Sequence, residues 1–447
     1  MYELNRADGV AREAAVLVGV LLPKAVPVDD PLDELRGLAR TAGARVVGEL
    51  LQRRQVPDRT TYIGKGKLEE LQGVVSAHDA DVVLFDNDLS PAQTRNLEKA
   101  LNAKVLDRTE VILDIFASRA QTHEARLAVE LAQLEYSLPR LKQMWSHLSR
   151  LKMGIGMRGP GEKQLEVDRR LVEKRITDLR RELKTIEQRK ERQVAARSDH
   201  MTVSLVGYTN AGKSTLLRTL TGAETKIEDK LFATLDTRTR RWQLPSWGPV
   251  LLSDTVGFIR DLPHQLIASF RATLEEARQA DLLLHVADTS NPDVFHQISA
   301  VYHVLEELGI DEKDTLLVLN KVDQLPDPSR LEALMSRYPH SVPISARARQ
   351  GIGKLAQTVA SALSRGFKDI DVEMGVDNGK LLAYLAANGE ILSRRYRGDR
   401  VIVHCRMPEA YVGRLRDDEV VVRTHVVGGW TAADSSGSAS APVEDVA

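Results

Sequence analysis

The chain has 447 residues, with 62 Lys plus Arg against 63 Asp plus Glu and a net charge of −1. That balance excludes a protein basic throughout, and its one cysteine, Cys405, excludes an internal disulfide framework. The length suggests about three domains. No apolar run approaches the roughly 20 residues that span a bilayer, and Met1-Tyr2-Glu3-Leu4-Asn5-Arg6 opens without a signal-peptide pattern, so a cytoplasmic chain with no membrane anchor is expected.

Residues 1 to 115 alternate strand and helix patterns: Val16 to Leu22, Pro31 to Ala42, Arg45 to Leu50, Lys67 to Ala77, Asp81 to Phe85, Pro91 to Ala100 and Lys104 to Asp107. Strands alternating with helices predict a small parallel α/β domain. Between the second strand and its helix stands Tyr62-Ile63-Gly64-Lys65-Gly66-Lys67. Glycines and lysines entering a helix suit a phosphate; they equally suit an ordinary turn.

Residues 116 to 197 change period. Leu127, Leu131, Leu134, Leu138, Leu141, Trp145 and Leu148 make one heptad-like seam, and Val172, Ile176, Leu179, Leu183 and Ile186 a second. Two seams joined by a loop predict an antiparallel helical hairpin, its first arm kinked or ended early by Pro139. The loop from Lys152 to Lys163 holds four glycines, Pro160 and the cations Lys152, Arg158 and Lys163. The whole segment carries nineteen Lys and Arg against eleven Asp and Glu, a local +8 in a neutral protein. Such a segment suits a polyanion, with Lys152, Arg158 and Lys163 the candidate RNA contacts; the other reading is a solvated helix face.

A P-loop domain is expected over residues 198 to 365. Gly207-Tyr208-Thr209-Asn210-Ala211-Gly212-Lys213-Ser214, followed by Thr215, fits GxxxxGK[ST] between the strand-like Met201 to Val206 and a helix. The pattern arises by chance roughly 0.02 times in a chain this long, so a second motif in functional order settles the matter. Asp254-Thr255-Val256-Gly257 supplies a DxxG after the strand Val250 to Leu252. Asn320-Lys321-Val322-Asp323 supplies an NKxD after Thr315 to Leu319, and Ser345-Ala346, with Arg347 next, closes the series. Glycines let backbone N–H groups close on phosphates at the positive end of the helix. Lys213 reaches the terminal phosphates, Ser214 ligates Mg²⁺, Asp254 meets the metal through water, and Gly257 offers its N–H to the γ-phosphate. A carboxylate at Asp323 pairs with the N1–H and 2-amino group of guanine, donors that adenine lacks. The chain is therefore read as binding GTP and GDP.

Phe258 stands where many GTPases carry a water-orienting Gln. Loops of the form GxxNxGKS are similar to those of a potassium-dependent group in which the Asn, here Asn210, ligates K⁺ beside the phosphates; Asn210 is otherwise a turn cap. Residues 366 to 430 read as a small α/β appendage with a helix from Leu381 to Leu392 and strands near Val401 and Val420. Cys405 lies in a strand-like run as a core residue, and residues 431 to 447 read as a disordered tail.

Taken together, the chain resembles the HflX family, of the Obg–HflX group of translation-factor-related GTPases. The resemblance rests on Tyr62 to Lys67, Leu131-Ala132-Gln133-Leu134, Leu138-Pro139-Arg140-Leu141, Gly159-Pro160-Gly161-Glu162, Gln164-Leu165-Glu166 and Asp168-Arg169-Arg170. In the P-loop domain it rests on Phe232-Ala233-Thr234-Leu235-Asp236 and Asp254 to Ile259. It implies an α/β multidomain protein: N-terminal parallel α/β domain, antiparallel helical hairpin, Ras-like GTPase domain and small C-terminal α/β domain. It further implies a cytoplasmic GTPase that binds the large ribosomal subunit and its RNA and splits stalled or stressed ribosomes; from Phe258 and Asn210 hydrolysis is expected to be slow alone and stimulated by ribosomes, and a monomer is expected. By the same resemblance Phe232 and Ala233 line the nucleotide, and Thr234 is the switch I threonine that meets Mg²⁺ and the γ-phosphate. The competing reading is a GTP-dependent switch that binds protein partners without a ribosome role, its hairpin a dimerisation coiled coil.

Overall fold

The computed structural model of the protein describes residues 13–23, 30–144, 160–196, 201–222, 231–232, 237–245, 248–260, 276–310, 314–325, 327–364, 367–415 and 420–425. Among these, no helix is long and apolar enough to cross a membrane.

Strands β1 (Ala14–Leu21), β2 (Arg45–Arg53), β3 (Val82–Phe85) and β4 (Lys104–Asp107) form a parallel sheet in the order β2-β1-β3-β4. Helices cover both faces. Ala15 and Leu17 share a core with α1 (Asp33–Ala42) and α4 (Arg108–Arg119), whereas Val16 and Val18 share one with α2 (Lys65–His78) and α3 (Pro91–Leu101). A strand covered on both sides has no polar face, which is why β1 is an unbroken apolar run. Gly64 precedes α2, so Lys65, Gly66 and Lys67 form its first turn.

Helices α5 (His123–Met144) and α6 (Pro160–Ala196) pack along a buried seam of Leu127, Leu131, Ile176 and Leu179, flanked by Leu134, Leu138, Val172, Leu183 and Ile186. Ion pairs of 2.7 Å join Glu124 to Lys190 and Glu130 to Arg175. One expectation is narrowed here and another corrected. Helix α5 runs through Pro139 to Met144, so of the two effects expected of that proline, an early end to the arm is excluded. A proline forfeits one intrahelical donor, and the next residue is anchored from outside the helix, Arg140 meeting Asp107 at 2.7 Å and the Leu89 carbonyl at 3.3 Å. Helix α6 begins at Pro160, inside the stretch read as loop; a proline at the first helical position loses no hydrogen bond. Trp145, Leu148, Lys152 and Arg158 lie outside the described residues, as does the side chain of Lys163.

The third unit is a six-stranded sheet in the order β10-β9-β8-β5-β7-β6. Its strands are β5 (Thr202–Gly207), β6 (Arg238–Leu244), β7 (Gly248–Asp254), β8 (Leu282–Asp288), β9 (Thr315–Asn320) and β10 (Val342–Pro343), with helix α7 (Lys213–Thr221) after β5. All pairings are parallel except β6 with β7. In such sheets ligands bind beyond the carboxyl ends of the strands, where the loops after β5, β7 and β9 lie. One apolar core runs from the N-terminal sheet into this unit through Phe116, Tyr208, Phe232 and Phe258.

The last unit is an antiparallel sheet in the order β12-β13-β11-β14, built from β11 (Phe367–Gly375), β12 (Glu390–Arg397), β13 (Arg400–Pro408) and β14 (Val421–Thr424). A helix, Gly379–Asn388, packs on it and stops short of the expected Leu392, because residues 390–397 pair with β13. Cys405 is fully buried there, and burial pushes its thiol up to about 12.

Candidate nucleotide site

The P-loop leaves β5 at Gly207 and enters α7 at Lys213. Gly212 caps the helix with φ 94°, and a Cβ there would lie 2.3 Å from Nδ2 of Asn320, so conformation and space both demand glycine. Asn210 also sits at positive φ, 61°, and is exposed; Asn tolerates that region better than most residues. The buried Lys213 ammonium donates to the carbonyls of Gly207 and Tyr208 at 3.0 and 2.9 Å. Burial lowers its pKa to about 8, with Asp254 acting the other way.

Ser214 donates its hydroxyl to Asp254 Oδ2 at 2.6 Å, at the point where β7 ends beside the start of α7. A hydroxyl and a carboxylate held together offer the hard oxygen donors that Mg²⁺ takes. The donor set therefore fits the ion, which when bound neutralises charge on the phosphates. Three residues on, a Cβ at Gly257 would meet Thr209 Cα at 2.7 Å and Lys213 Nζ at 3.0 Å, so DxxG closes on the P-loop by direct backbone contact. Thr255 is buried and donates to the Leu205 carbonyl, and Val256 is buried. Phe258 is buried too, bridging to Tyr208 beside a 2.6 Å bond from Thr209 N to its carbonyl.

The loop after β9 is organised by Asn320. Its Nδ2 donates to the Ala211 carbonyl at 2.9 Å and its Oδ1 accepts from Ala346 N at 3.0 Å, so one amide joins P-loop, NKxD and the Ser345-Ala346 turn. Lys321 takes φ 63° and pairs with Asp288 at 2.7 Å. Asp323 stands exposed on the 3₁₀ turn Val322–Gln324, where a base can reach it. Ser345 is buried and accepts from Ala348 N; Arg347 is exposed. Thr215 is half-buried in the first turn of α7.

Several residues that no motif marks hold the phosphate end from outside. The Tyr208 hydroxyl hydrogen-bonds the Glu34 carboxylate of α1 and accepts from Arg260 N at 2.7 Å. Arg108, the first residue of α4, is buried and pairs with Glu34 at 2.8 Å and Asp86 at 2.7 Å, and it donates to the Arg260 carbonyl at 3.0 Å. Arg260 itself reaches Asp86 at 3.2 Å. Burial opposes ionisation of Glu34, yet Arg108, Tyr208 and Arg260 hold its carboxyl below the ordinary range; at Asp86 burial prevails and the pKa rises. Burial, then Glu34, keeps Tyr208 protonated as the donor.

The segment before Thr234 is gripped in the same way. Phe232 N donates to Thr209 Oγ1 at 2.8 Å, its ring packs edge-on against Phe116 at 4.6 Å, and Leu231 N donates to Thr41 Oγ1 at 3.2 Å. Ala233 and Thr234 lie outside the described residues. Sequence reading missed Glu34, Thr41, Asp86, Arg108, Phe116 and Arg260, since their partners lie 22 to 190 residues away and no local pattern announces them.

Comparison with known proteins agrees with this architecture. Residues 29–117 match the family described as GTP-binding GTPase N-terminal, 119–197 the GTP-binding GTPase Middle Region, and 202–321 the 50S ribosome-binding GTPase family. GTPase HflX of Lacrimispora saccharolytica is 44% identical over 408 residues, covering 91% of this chain and 96% of its own length. GTPase HflX of Escherichia coli is 46% identical over 374 residues, covering 83% and 88%. A solved GTP-binding protein from Sulfolobus solfataricus in complex with GDP aligns over 79% of this chain and 99% of its own, at 24% identity and TM-score 0.42.

Proposed function

Because this chain belongs to the HflX family of GTPases, we propose that its GTP-bound form binds the large ribosomal subunit and splits stalled or stressed ribosomes. The observation that carries the reading is the pair Asp107 and Arg108, adjacent in sequence. Arg108 reaches the carbonyl of Arg260, three residues beyond DxxG, and, through Glu34, the P-loop tyrosine, while Asp107 holds Tyr136 and Arg140 of α5. The phosphate end of the site is thus tied by polar contacts to α5, the helix that precedes Lys152, Arg158 and Lys163 in sequence.

In this reading the γ-phosphate orders the segments around Thr234 and Gly257. Thr234, Ser214 and Asp254 serve Mg²⁺, the last through water, and Lys213 and the Gly257 N–H hold the phosphates. Asn210 ligates K⁺, which substitutes for an arginine finger in stabilising the transition-state charge, and since Phe258 has no polar group, the attacking water is oriented by another group. Binding the separated large subunit but not the joined ribosome shifts the equilibrium toward splitting by mass action, and hydrolysis releases the protein. The name of the family matched by residues 202–321, 50S ribosome-binding GTPase, supports the partner.

The test is light scattering of intact ribosomes mixed with the GTP-analogue-loaded protein. Replacing residues 154–161 with a short Gly-Ser turn is expected to leave GTP binding intact and to slow splitting. Reversing charge at Lys152, Arg158 and Lys163 should flatten the salt dependence of subunit binding. Splitting at the parental rate by the shortened protein overturns the role of the arm; failure of the parent to split or bind ribosomes overturns the function.

A further inference from the structure

The strands of the C-terminal sheet alternate cleanly. Ile370, Val372 and Met374 of β11 and Val401, Val403, Cys405 and Met407 of β13 join the core shared with Leu385 of the covering helix. The intervening residues therefore occupy the opposite face. Antiparallel register sets Asp371 directly across from His404. On the other side of β11, Ile370 pairs with Thr424, and the next residue, His425, donates its N–H to the Asp369 carbonyl at 2.8 Å.

Three side chains meet on that face. His425 Nδ1 lies 2.9 and 3.1 Å from the two oxygens of Asp371. The rings of His404 and His425 stack with centroids 3.6 Å apart and planes 16° from parallel. One ligand atom from each of the three residues fits within 4.8 Å of the others. Nε2 of His404 is buried with no hydrogen-bond partner among the described residues. A buried polar atom left without its hydrogen bond is destabilising, so its persistence there asks for a ligand. Neighbouring charges are otherwise committed: Asp369 is held by Arg406 at 3.0 Å, and Glu373 by Arg400 at 3.0 Å.

We propose that Asp371, His404 and His425 form a binding site for a first-row divalent cation of the Zn²⁺ type, separate from the nucleotide's Mg²⁺. Two imidazoles and one carboxylate are the donor set of zinc and its neighbours, whereas Mg²⁺ prefers oxygen donors alone. Three protein ligands leave a fourth position for water or an incoming group, the arrangement of an exchangeable site rather than of a closed structural one. Stacked rings direct their lone pairs side by side, so binding turns one imidazole about its side-chain torsions until both converge on the ion. The ion then ties residue 425, just beyond the four-residue edge strand β14, to β11 and β13, and fixes that end of the sheet.

The experiment uses the full chain without an affinity tag, saturated with GDP and millimolar Mg²⁺ so that the P-loop site is filled. Titration with Zn²⁺ by calorimetry, and with Co²⁺ by visible absorption, is expected to show one saturable equivalent at micromolar concentration or below. His404→Gln and Asp371→Asn should each weaken that equivalent at least tenfold while GDP affinity, the measure of an intact fold, stays within twofold. His425→Gln provides a third variant should one of these fail to fold. Absence of a saturable equivalent, or parental binding by the folded His404 and Asp371 variants, overturns the site and leaves Asp371 and His425 as an ion pair.

Discussion

The two ends of the nucleotide site are built in different ways. Its guanine end is closed from within one unit: Asn320 bonds Ala211 and Ala346, and Lys321 pairs with Asp288, all within the six-stranded sheet and its loops. Its phosphate end is closed from outside, by Glu34, Thr41, Asp86, Arg108 and Phe116 of the N-terminal unit. Base recognition is thus a local property, while whatever changes at the phosphates is felt across a domain boundary. The segments assigned to the γ-phosphate in the proposed cycle are the ones that touch another domain.

The largest effect expected at the guanine end is from Asp323→Asn. Exchanging an acceptor for a donor should cost GTP binding roughly 10⁴-fold, by the unpaired-group discrimination seen in comparable sites, and favour xanthine nucleotides. Titration of fluorescent GTP and XTP measures it, and an unchanged GTP preference would refute the assignment of Asp323. Stability of the Asp107–Arg108 junction should be untouched.

Next comes Arg108→Met, which takes the buried guanidinium from Glu34 and Asp86 and leaves them only the half-exposed Arg260. Breaking a buried ion pair by removing one partner costs roughly 3–5 kcal/mol, to be read from the denaturation midpoint. GDP affinity should fall while the ratio of GDP to XDP affinity holds. A change in that ratio would mean that the two ends are not separable.

Lys213 gives a third, smaller test. Its pKa is lowered to about 8 by burial, against the attraction of Asp254, and bound phosphates raise it. Binding therefore favours the protonated lysine: GDP affinity should be full below pH 8 and decline as pH rises through that value, by at most about tenfold per unit. Guanosine, which has no phosphates, should show no such slope. A flat GDP profile from pH 7 to 9 would contradict the lysine's placement.

The smallest effect is from Thr41→Val. Losing its bond to Leu231 N costs about 1 kcal/mol, so exchange of the Leu231 amide with solvent should rise roughly fivefold. No rise would show that the segment before Thr234 is not held by α1.

Legibility in the sequence divides along the same line. The guanine end and the P-loop were readable because each motif is a run of neighbours whose chemistry requires that spacing, as in Gly207 to Ser214. The N-terminal strands were readable too, since burial on both faces leaves apolar runs such as Val16 to Leu22. Helix α4 was not. It is buried from Arg108 to Phe116 with Asp114 the one exception to full burial, so it has no polar stripe to betray a helical period, though the capping box of Asp107 and Glu110 marks its start. Strand β12 hid because Ile391 and Leu392 extend the apolar pattern of the helix ending at Asn388. Contacts such as Tyr208 with Glu34 span 174 residues, and only the fold brings them together.

Arg108 also sets a schedule for synthesis. The N-terminal sheet is complete at Asp107, but the Arg260 carbonyl that receives Arg108 lies 152 residues further on. At about 5–20 residues per second, the interval is roughly 8–30 s. For that time Arg108 has only Glu34 and Asp86 as partners, and the apolar face around Phe116 is made but not yet covered by Tyr208, Phe232 and Phe258. A nascent chain paused in this window presents a half-built interface. Rare-codon stretches or truncations that lengthen it should raise aggregation even where the finished protein is stable.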